Sequence, residues 1–448
     1  MTETMRERTE SASHVRWNVL CSLAVMAALA YLCRNSISVV QKTIREDLQL
    51  TEAQLGFILG PAFFWTYALA QIPSSRFGER LGARLSLPIF ACAWSFAIAV
   101  FGYTNWFPLL LGIWMVTGLA QAGAFPVAAR TISVWFPRSE RASASGVLTS
   151  SMSLGAAVSA GVTGILVLTF RWQTVFLMYA IPGLIWACFF GSWFRNRPEY
   201  QPGLNLAELE QINEGNDHAT SPQIADATPW LSLLTSWPMG MICGQQFCRA
   251  AAQAFFISWF PTFLQESRHI TVVKSGFLSV LPHLSIAAAC LTGGALADSI
   301  SRKTGGSGWS RKGLAVVSLM LSTTLIGAAY FVQDATSAVV VISIGVYCAA
   351  LAGPGAYAVT MDMGGRHVGS VFATMNMIGN FGAGMLPWLI PALRSQIQSS
   401  PALLAVCGDD SWNAVMALIA ALHFLAAICW LLLPLRGTVF DYSVIPPK

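Results

Sequence analysis

Twelve apolar runs of about 20 residues each fill most of the chain and restrict it to few folds. A helix of this length crosses the hydrocarbon core of a bilayer, where each backbone N–H and C=O group needs a partner within its own segment. The sequence therefore predicts an all-α polytopic membrane protein with twelve transmembrane helices. The expected spans are 17–41, 54–75, 85–103, 107–134, 144–169, 173–194, 237–264, 274–297, 313–332, 337–361, 368–393 and 412–435.

The composition supports a membrane location. Of the 448 residues, 55% are apolar and only 10% are charged, whereas about 25% are charged in an ordinary globular protein. The net charge of +5 comes from basic residues scattered between the spans, without the basic patch that a nucleic acid contacts. We expect a lipid bilayer as the surroundings and no nucleic-acid partner.

The residue spacing gives no sign of metal or catalytic chemistry. The ten cysteines include no CxxC motif and no Cys/His cluster with ligand spacing, so we expect no disulfide framework, metal or other cofactor. No nucleophile–base pair or phosphate loop is present either, and we expect neither an enzyme nor catalytic residues.

A polar stretch divides the chain into two parts. Residues 195–236 are rich in acidic side chains, and 206–212 within them predict a short surface helix. We expect an N-terminal six-helix bundle with its tail over 1–194 (the N half), a cytoplasmic linker over 195–236, and a C-terminal six-helix bundle with its tail over 237–448 (the C half). We expect the protein to be a monomer.

The lysines and arginines predict the orientation. With the N-terminus inside, seventeen of them lie on the cytoplasmic face and six on the outer face, as the positive-inside rule requires. We expect both termini on the cytoplasmic side of the cell (inner) membrane.

An arginine lies inside a span in each half. Arg34 and Arg249 are 215 positions apart, so they occupy nearly equivalent places in two repeats. A charge at the bilayer centre costs roughly 2.5–3.5 kcal/mol and is retained where it faces a cavity, and a guanidinium matches a carboxylate or phosphate with two parallel hydrogen bonds. Gln245, Arg249 and Gln253 share one helix face. We expect Arg34, Arg249, Gln245 and Gln253 to contact a small organic anion.

Acidic and basic residues recur at two short cytoplasmic turns, one in each half. We expect these charges to hold the cytoplasmic ends of the two halves together in one state and to release them in another, as a cytoplasmic gate. The expected gate residues are Glu79, Arg80, Arg84, Asp298 and Arg302.

Four stretches carry a resemblance to a known family: 65–73 with the turn that follows it, 135–137, 259–264 and 376–380. They are similar to the major facilitator superfamily, and specifically to its anion:cation symporter family. The resemblance implies two pseudo-symmetric six-helix bundles that move an organic anion, such as a sugar acid, hexuronate or other carboxylate, by alternating access and with protons. It also implies that Arg34 contacts the anion and that Tyr67 faces the substrate.

The chain departs from this family where protons are usually coupled. Cys33 stands where many members have an acid, Gln121 stands where a glutamate is common, and Met152 replaces the glutamine of galactonate-type members. Gln121 and His283, a titratable group inside span 8, are then the candidate coupling residues.

A second resemblance leaves the transported anion and the coupling open. Tyr31 with Arg34, and Arg249 as a partner, are similar to the paired-arginine site of glycerol-3-phosphate transporters, which exchange organophosphate for phosphate. Tyr31 and Tyr67 either pack in the core or contact substrate hydroxyls. Asn376 either contacts a hydroxyl or joins helices. A sensor that binds an anion without moving it is a further alternative.

Overall fold

A computed structural model describes residues 12–137, 140–213, 229–303, 308–364, 367–434 and 437–442. The side chains of Glu79, Asp298 and Arg302, three of the expected gate residues, lie outside the described residues.

The N half consists of long helices joined by short turns. The second expected span starts as a short helix and continues through a π-helical turn, 58–62, where Pro61 has no N–H to donate. The helices are α1 (Val15–Asp47), α2 (Glu52–Phe57), α3 (Phe63–Leu81), α4 (Ala83–Phe101), α5 (Phe107–Ala122), α6 (Ala124–Trp135), α7 (Arg141–Leu166) and α8 (Trp172–Trp193).

The C half repeats this plan after two short helices, α9 (Leu206–Asn213) and α10 (Trp230–Leu234). Its first span is interrupted at Trp259, whose indole donates a hydrogen bond to the carbonyl of Pro387 at 3.0 Å. The helices are α11 (Trp237–Ser258), α12 (Phe260–Ser267), α13 (Val272–Lys303), α14 (Gly308–Ala328), α15 (Ala335–Gly364), α16 (Val368–Ser399), α17 (Pro401–Val406) and α18 (Ser411–Leu432).

The twelve-span, all-α fold class is confirmed. Ten helical segments in the described ranges are long and apolar enough to cross a membrane. The two remaining expected spans are helices α11 and α16, of 22 and 32 residues, and polar residues lower their hydropathy: Arg249 in α11, and Asn376 and Asn380 in α16. Polar residues inside a span therefore hide it from a hydropathy criterion without preventing the helix.

Two long interfaces join the halves. Helix α7 packs along α13, and α3 packs along α16. Within the halves, α1 packs on α7 and α11 packs on α16. This arrangement brings α1 and α11, which carry the two buried arginines, into the interior between the other helices.

The expected surface helix in the linker is present as α9, but it is not confined to the surface. Glu208 is fully buried, and its carboxylate accepts hydrogen bonds from the backbone N–H groups of Val15 and Arg16, each at 3.0 Å. These are the first residues of α1, whose N–H groups have no partner within the helix. The linker therefore caps the first membrane helix.

Candidate functional site

Arg34 lies in the middle of α1 and is 8% exposed. Its guanidinium carbon lies 4.2 Å from the ring centre of Tyr31, 4.9 Å from that of Phe63 and 5.3 Å from that of Phe64. Aromatic faces attract a cation but do not neutralise it. The rings therefore hold the guanidinium in place and leave its charge available.

The charge of Arg34 has no acidic partner in the part of the chain that the structure describes. Its Nε is buried and donates to no acceptor. A buried, unpaired donor on a charged group is costly. Such a group fits a site that an anion completes.

A pocket surrounds this guanidinium, and we call it the Arg34 pocket. Four residues that the sequence analysis singled out, namely Tyr31, Arg34, Tyr67 and Gln121, come together in its wall, with Met152 beside them. The other lining residues are Met26, Ala27, Ala30, Ala124, Phe125, Ala128 and Leu148.

The side chains in and beside this pocket differ in which of their groups already have a partner. The amide of Gln121 donates to the carbonyl of Ala30 at 3.1 Å, which leaves its oxygen to accept from another group. Tyr67 stacks on Phe63 with ring centres 5.9 Å apart. Cys33 is directed elsewhere, since its Sγ lies 3.5 Å from the carbonyl of Tyr179.

Arg249 lines a separate pocket, which we call the Arg249 pocket. Its lining residues are Arg249, Gln253, Phe256, Ile286, Val346, Ala349, Ala350 and His423. Arg249 Nη2 donates to Gln246 Oε1 at 2.6 Å, and its buried Nε has no acceptor. The two arginines thus line different pockets, one in each half.

Two other expected contact residues line neither pocket. The amide of Gln245 donates to the carbonyl of Ile242 at 3.0 Å. Asn376 on α16 donates to Gln71 Oε1 on α3 at 2.9 Å, which links the halves. The helix-joining alternative for Asn376 is therefore the one that this geometry supports.

The expected coupling histidine, His283, is buried on α13 and lines neither pocket. His423, which the sequence analysis did not select, lines the Arg249 pocket. A signal was available, because His423 is the only histidine or charged residue in the apolar helix α18, and such residues in spans tend to be functional.

The described gate residues bond within one half. Arg84 donates through its Nε to the carbonyl of Gly191 at 3.2 Å, and its backbone N–H donates to Asn196 at 2.9 Å. Arg80 is exposed. These contacts attach the turn between α3 and α4 to the end of α8.

The helical bundle, with a buried charged pocket in each half, defines a polytopic membrane transporter rather than an enzyme. The chain belongs to the Major Facilitator Superfamily, whose model matches residues 23–387. The resemblance of the sequence to this superfamily is thereby confirmed.

Two similar proteins are named as transporters of organic acids. The chain is 28% identical to the D-galactonate transporter of Escherichia coli O6:H1, over 92% of this chain and 95% of that protein. It is 29% identical to a probable sulfoacetate transporter of Cupriavidus necator, over 85% of this chain and 87% of that protein.

A solved structure has the same fold. It is a bacterial homologue of the human lysosomal transporter Spinster, in an inward-facing and unoccupied conformation. The TM-score is 0.72 at 19% identity, with 94% of this chain and 98% of that chain covered.

Proposed function

We propose that this protein is a secondary active transporter that moves a small organic anion, with sugar acids such as galactonate as the first class, across the cytoplasmic membrane. The observation that carries the proposal is Arg34, a buried guanidinium with no acidic partner among the described residues and an unsatisfied Nε in a pocket wall. A carboxylate would complete its hydrogen bonds. The name of the galactonate relative supports the substrate class.

The polar groups around Arg34 would recognise the hydroxyl groups of the sugar acid. The phenol groups of Tyr31 and Tyr67 and the free oxygen of Gln121 line the same pocket. A tyrosine offers an apolar face with a polar tip, and this suits a polyhydroxy chain with alternating C–H and O–H groups. Sulfoacetate has no hydroxyls, so these residues favour the sugar acid.

Arg249 and Gln253 are the second anion contact, in the other half. Transport would proceed by alternating access, with the halves at 1–194 and 237–448 rocking about a site between them. Proton symport is the proposed coupling. The distribution of lysines and arginines supports cytoplasmic termini. A contact between Gln245 and the anion stays a prediction.

Exchange of organophosphate for phosphate is not favoured. It finds no support in the names of the relatives.

The test is counterflow of labelled galactonate in proteoliposomes, with sulfoacetate and inorganic phosphate as competing anions. We expect galactonate to exchange, and Arg34→Gln to weaken its binding about 10- to 100-fold, because a hydrogen bond to a charged group contributes about 1.5–3 kcal/mol. Arg34→Lys keeps the charge but loses the paired geometry, so we expect an intermediate loss. Arg171→Gln, which removes an exposed guanidinium from the same half, is the matched control.

Three outcomes contradict the proposal. Galactonate and sulfoacetate that neither bind nor exchange would exclude the organic-acid class. Wild-type affinity in Arg34→Gln would remove Arg34 from the site. Galactonate efflux that external phosphate accelerates would favour the exchanger.

A further inference from the structure

His423 provides a titratable group in the Arg249 pocket. It lies on α18, is 2% exposed, and lines the pocket together with Arg249 and Gln253. The other lining residues are apolar. A buried imidazole facing a pocket beside a guanidinium is not explained by packing alone.

One nitrogen of His423 is held and the other is available. Nδ1 lies 3.1 Å from Ser322 Oγ on α14, while Nε2 has no hydrogen-bond partner in the described part of the chain. When Nδ1–H donates to Ser322, Nε2 carries the lone pair. The ring can then accept a proton at Nε2 without losing its bond to Ser322.

Arg249 is the charge that acts on this imidazole. It is buried, its Nε has no acceptor among the described residues, and it lines the same pocket as His423. The described parts of the helices packed against α18 are α11, α14 and α16, and they bring no carboxylate. Their other charged or titratable groups are Cys243 and Cys248 on α11, Lys312 at one end of α14 and Arg394 at the far end of α16. Helices α13 and α15, which complete the pocket wall, add His283, Cys290 and Cys348 in their middle turns.

We propose that the carboxylate bound at Arg34 also contacts Arg249 during the transport cycle, and that it is bound there together with a proton carried by His423. This inference rests on the proposed function and names the coupling site for it. It assigns the proton to a histidine that lines one of the two pockets described above, rather than to His283, which lines neither of them.

Electrostatics supplies the coupling. In the empty pocket, a proton on His423 would place a second positive charge beside Arg249, and in a low-dielectric interior this is unfavourable. A bound carboxylate offsets that repulsion, so the anion favours the proton and the proton favours the anion. Linkage makes the two effects equal in size. Anion and proton then bind and leave together, which a symporter requires.

The experiment measures galactonate affinity at pH 6 and pH 8 by calorimetry on the purified full-length protein. Binding by the wild type at pH 6 tests the proposed function, and the ratio of the two affinities tests this inference. A sugar-acid carboxyl is ionised at both pH values because its pKa is about 3.5, so the ratio reports on the protein. We expect wild-type binding about 5- to 100-fold weaker at pH 8, the upper figure being the limit for one linked proton over two pH units.

The variants locate the proton. We expect the affinity ratio to fall to about one in His423→Gln and His423→Asn, and these two neutral amides retain a hydrogen-bonding group near Nε2 or Nδ1. His269→Gln, which changes an exposed histidine, is the control and should keep the wild-type ratio. A wild-type ratio in either His423 variant would overturn the proposal, and so would a loss seen only in His283→Gln.

A measurement on the wild type alone also tests whether protons enter together with the anion. Proteoliposomes with a trapped pH indicator should acidify inside as galactonate enters. Galactonate entry without proton entry would overturn the coupling role of His423 while leaving the transporter proposal intact.

Discussion

The guanidinium of Arg394 lies 3.1 Å from the carboxylate of Glu52, although the two residues are 342 positions apart in the chain. Arg394 is at the end of α16 in the C half, and Glu52 begins α2 in the N half. The same guanidinium lies 2.9 Å from Glu266 on α12. One arginine thus joins the two halves.

Arg45 completes a cluster of four alternating charges. It lies 2.6 Å from Glu52 and 3.6 Å from Glu266, so each arginine contacts both glutamates. Arg394 also lies over the ring of Trp412, 4.0 Å from its centre. The cluster is at the face opposite the start of α1, which we expect to be the outer face. Opening this face under alternating access requires these ion pairs to separate.

Substitution Arg394→Gln should loosen the closed outer face. It removes two ion pairs made by the Arg394 side chain, which is only 7% exposed. A hydrogen bond to a charged group contributes about 1.5–3 kcal/mol. We expect amide hydrogen exchange in 52–57 and 260–267 to accelerate about tenfold or more. Arg171→Gln, at an exposed site on the same face, should leave exchange unchanged, and equal rates in both variants would refute the locking role.

Glu208→Gln should destabilise the N half through α1. Glu208 accepts from two backbone N–H groups and from the hydroxyl of Ser13 at 2.5 Å, and its negative charge lies at the positive end of the α1 dipole. Losing the charge leaves a buried donor poorly paired, which costs about 1–3 kcal/mol. Thermal unfolding in detergent measures the effect.

The control for this change lies in the same helix. Glu210 is exposed on α9, so Glu210→Gln removes the same charge from the linker without touching α1. If both variants unfold at the same temperature as the wild type, Glu208 does not stabilise α1.

The sequence predicted the helices because their formation depends on local hydropathy, which is visible in any 20-residue window. A charge inside an apolar run also singled out Arg34, which the structure places in a pocket wall; its contact with an anion stays a prediction. The sequence did not predict the cluster of Arg45, Glu52, Glu266 and Arg394. These residues lie at helix ends, where charges are ordinary, and only the packing of α2 against α16 and of α12 against α1 brings them together.

Gly155→Ala should destabilise the protein, whereas Gly146→Ala should not, although both lie on α7. A Cβ at Gly155 would lie 2.1 Å from the backbone carbonyl oxygen of Ala28 on α1, while a Cβ at Gly146 would have nothing within 4 Å. Overpacking costs about 1–3 kcal/mol, and an exposed Gly→Ala change in a helix gains up to about 1 kcal/mol. Similar melting temperatures for the two variants would contradict the close contact between α1 and α7.

Asn376→Ala tests whether this residue contacts the anion or joins the halves. Its amide donates to Gln71 on α3, so the geometry predicts that the change shifts the balance between conformations and leaves anion recognition in place. We expect galactonate affinity within about threefold of wild type, since the ligand contacts of the Arg34 pocket remain, and a changed rate of exchange.

Two variants make this test specific. Gln71→Ala removes the other end of the same hydrogen bond and should reproduce the rate change, and the double variant should add little to it, as expected for one shared interaction. Asn380→Ala is the control, because the Asn380 amide donates to the carbonyl of Asn376 within α16 and not across the interface. A loss of affinity above tenfold in Asn376→Ala that is absent in Gln71→Ala would instead place Asn376 against the anion.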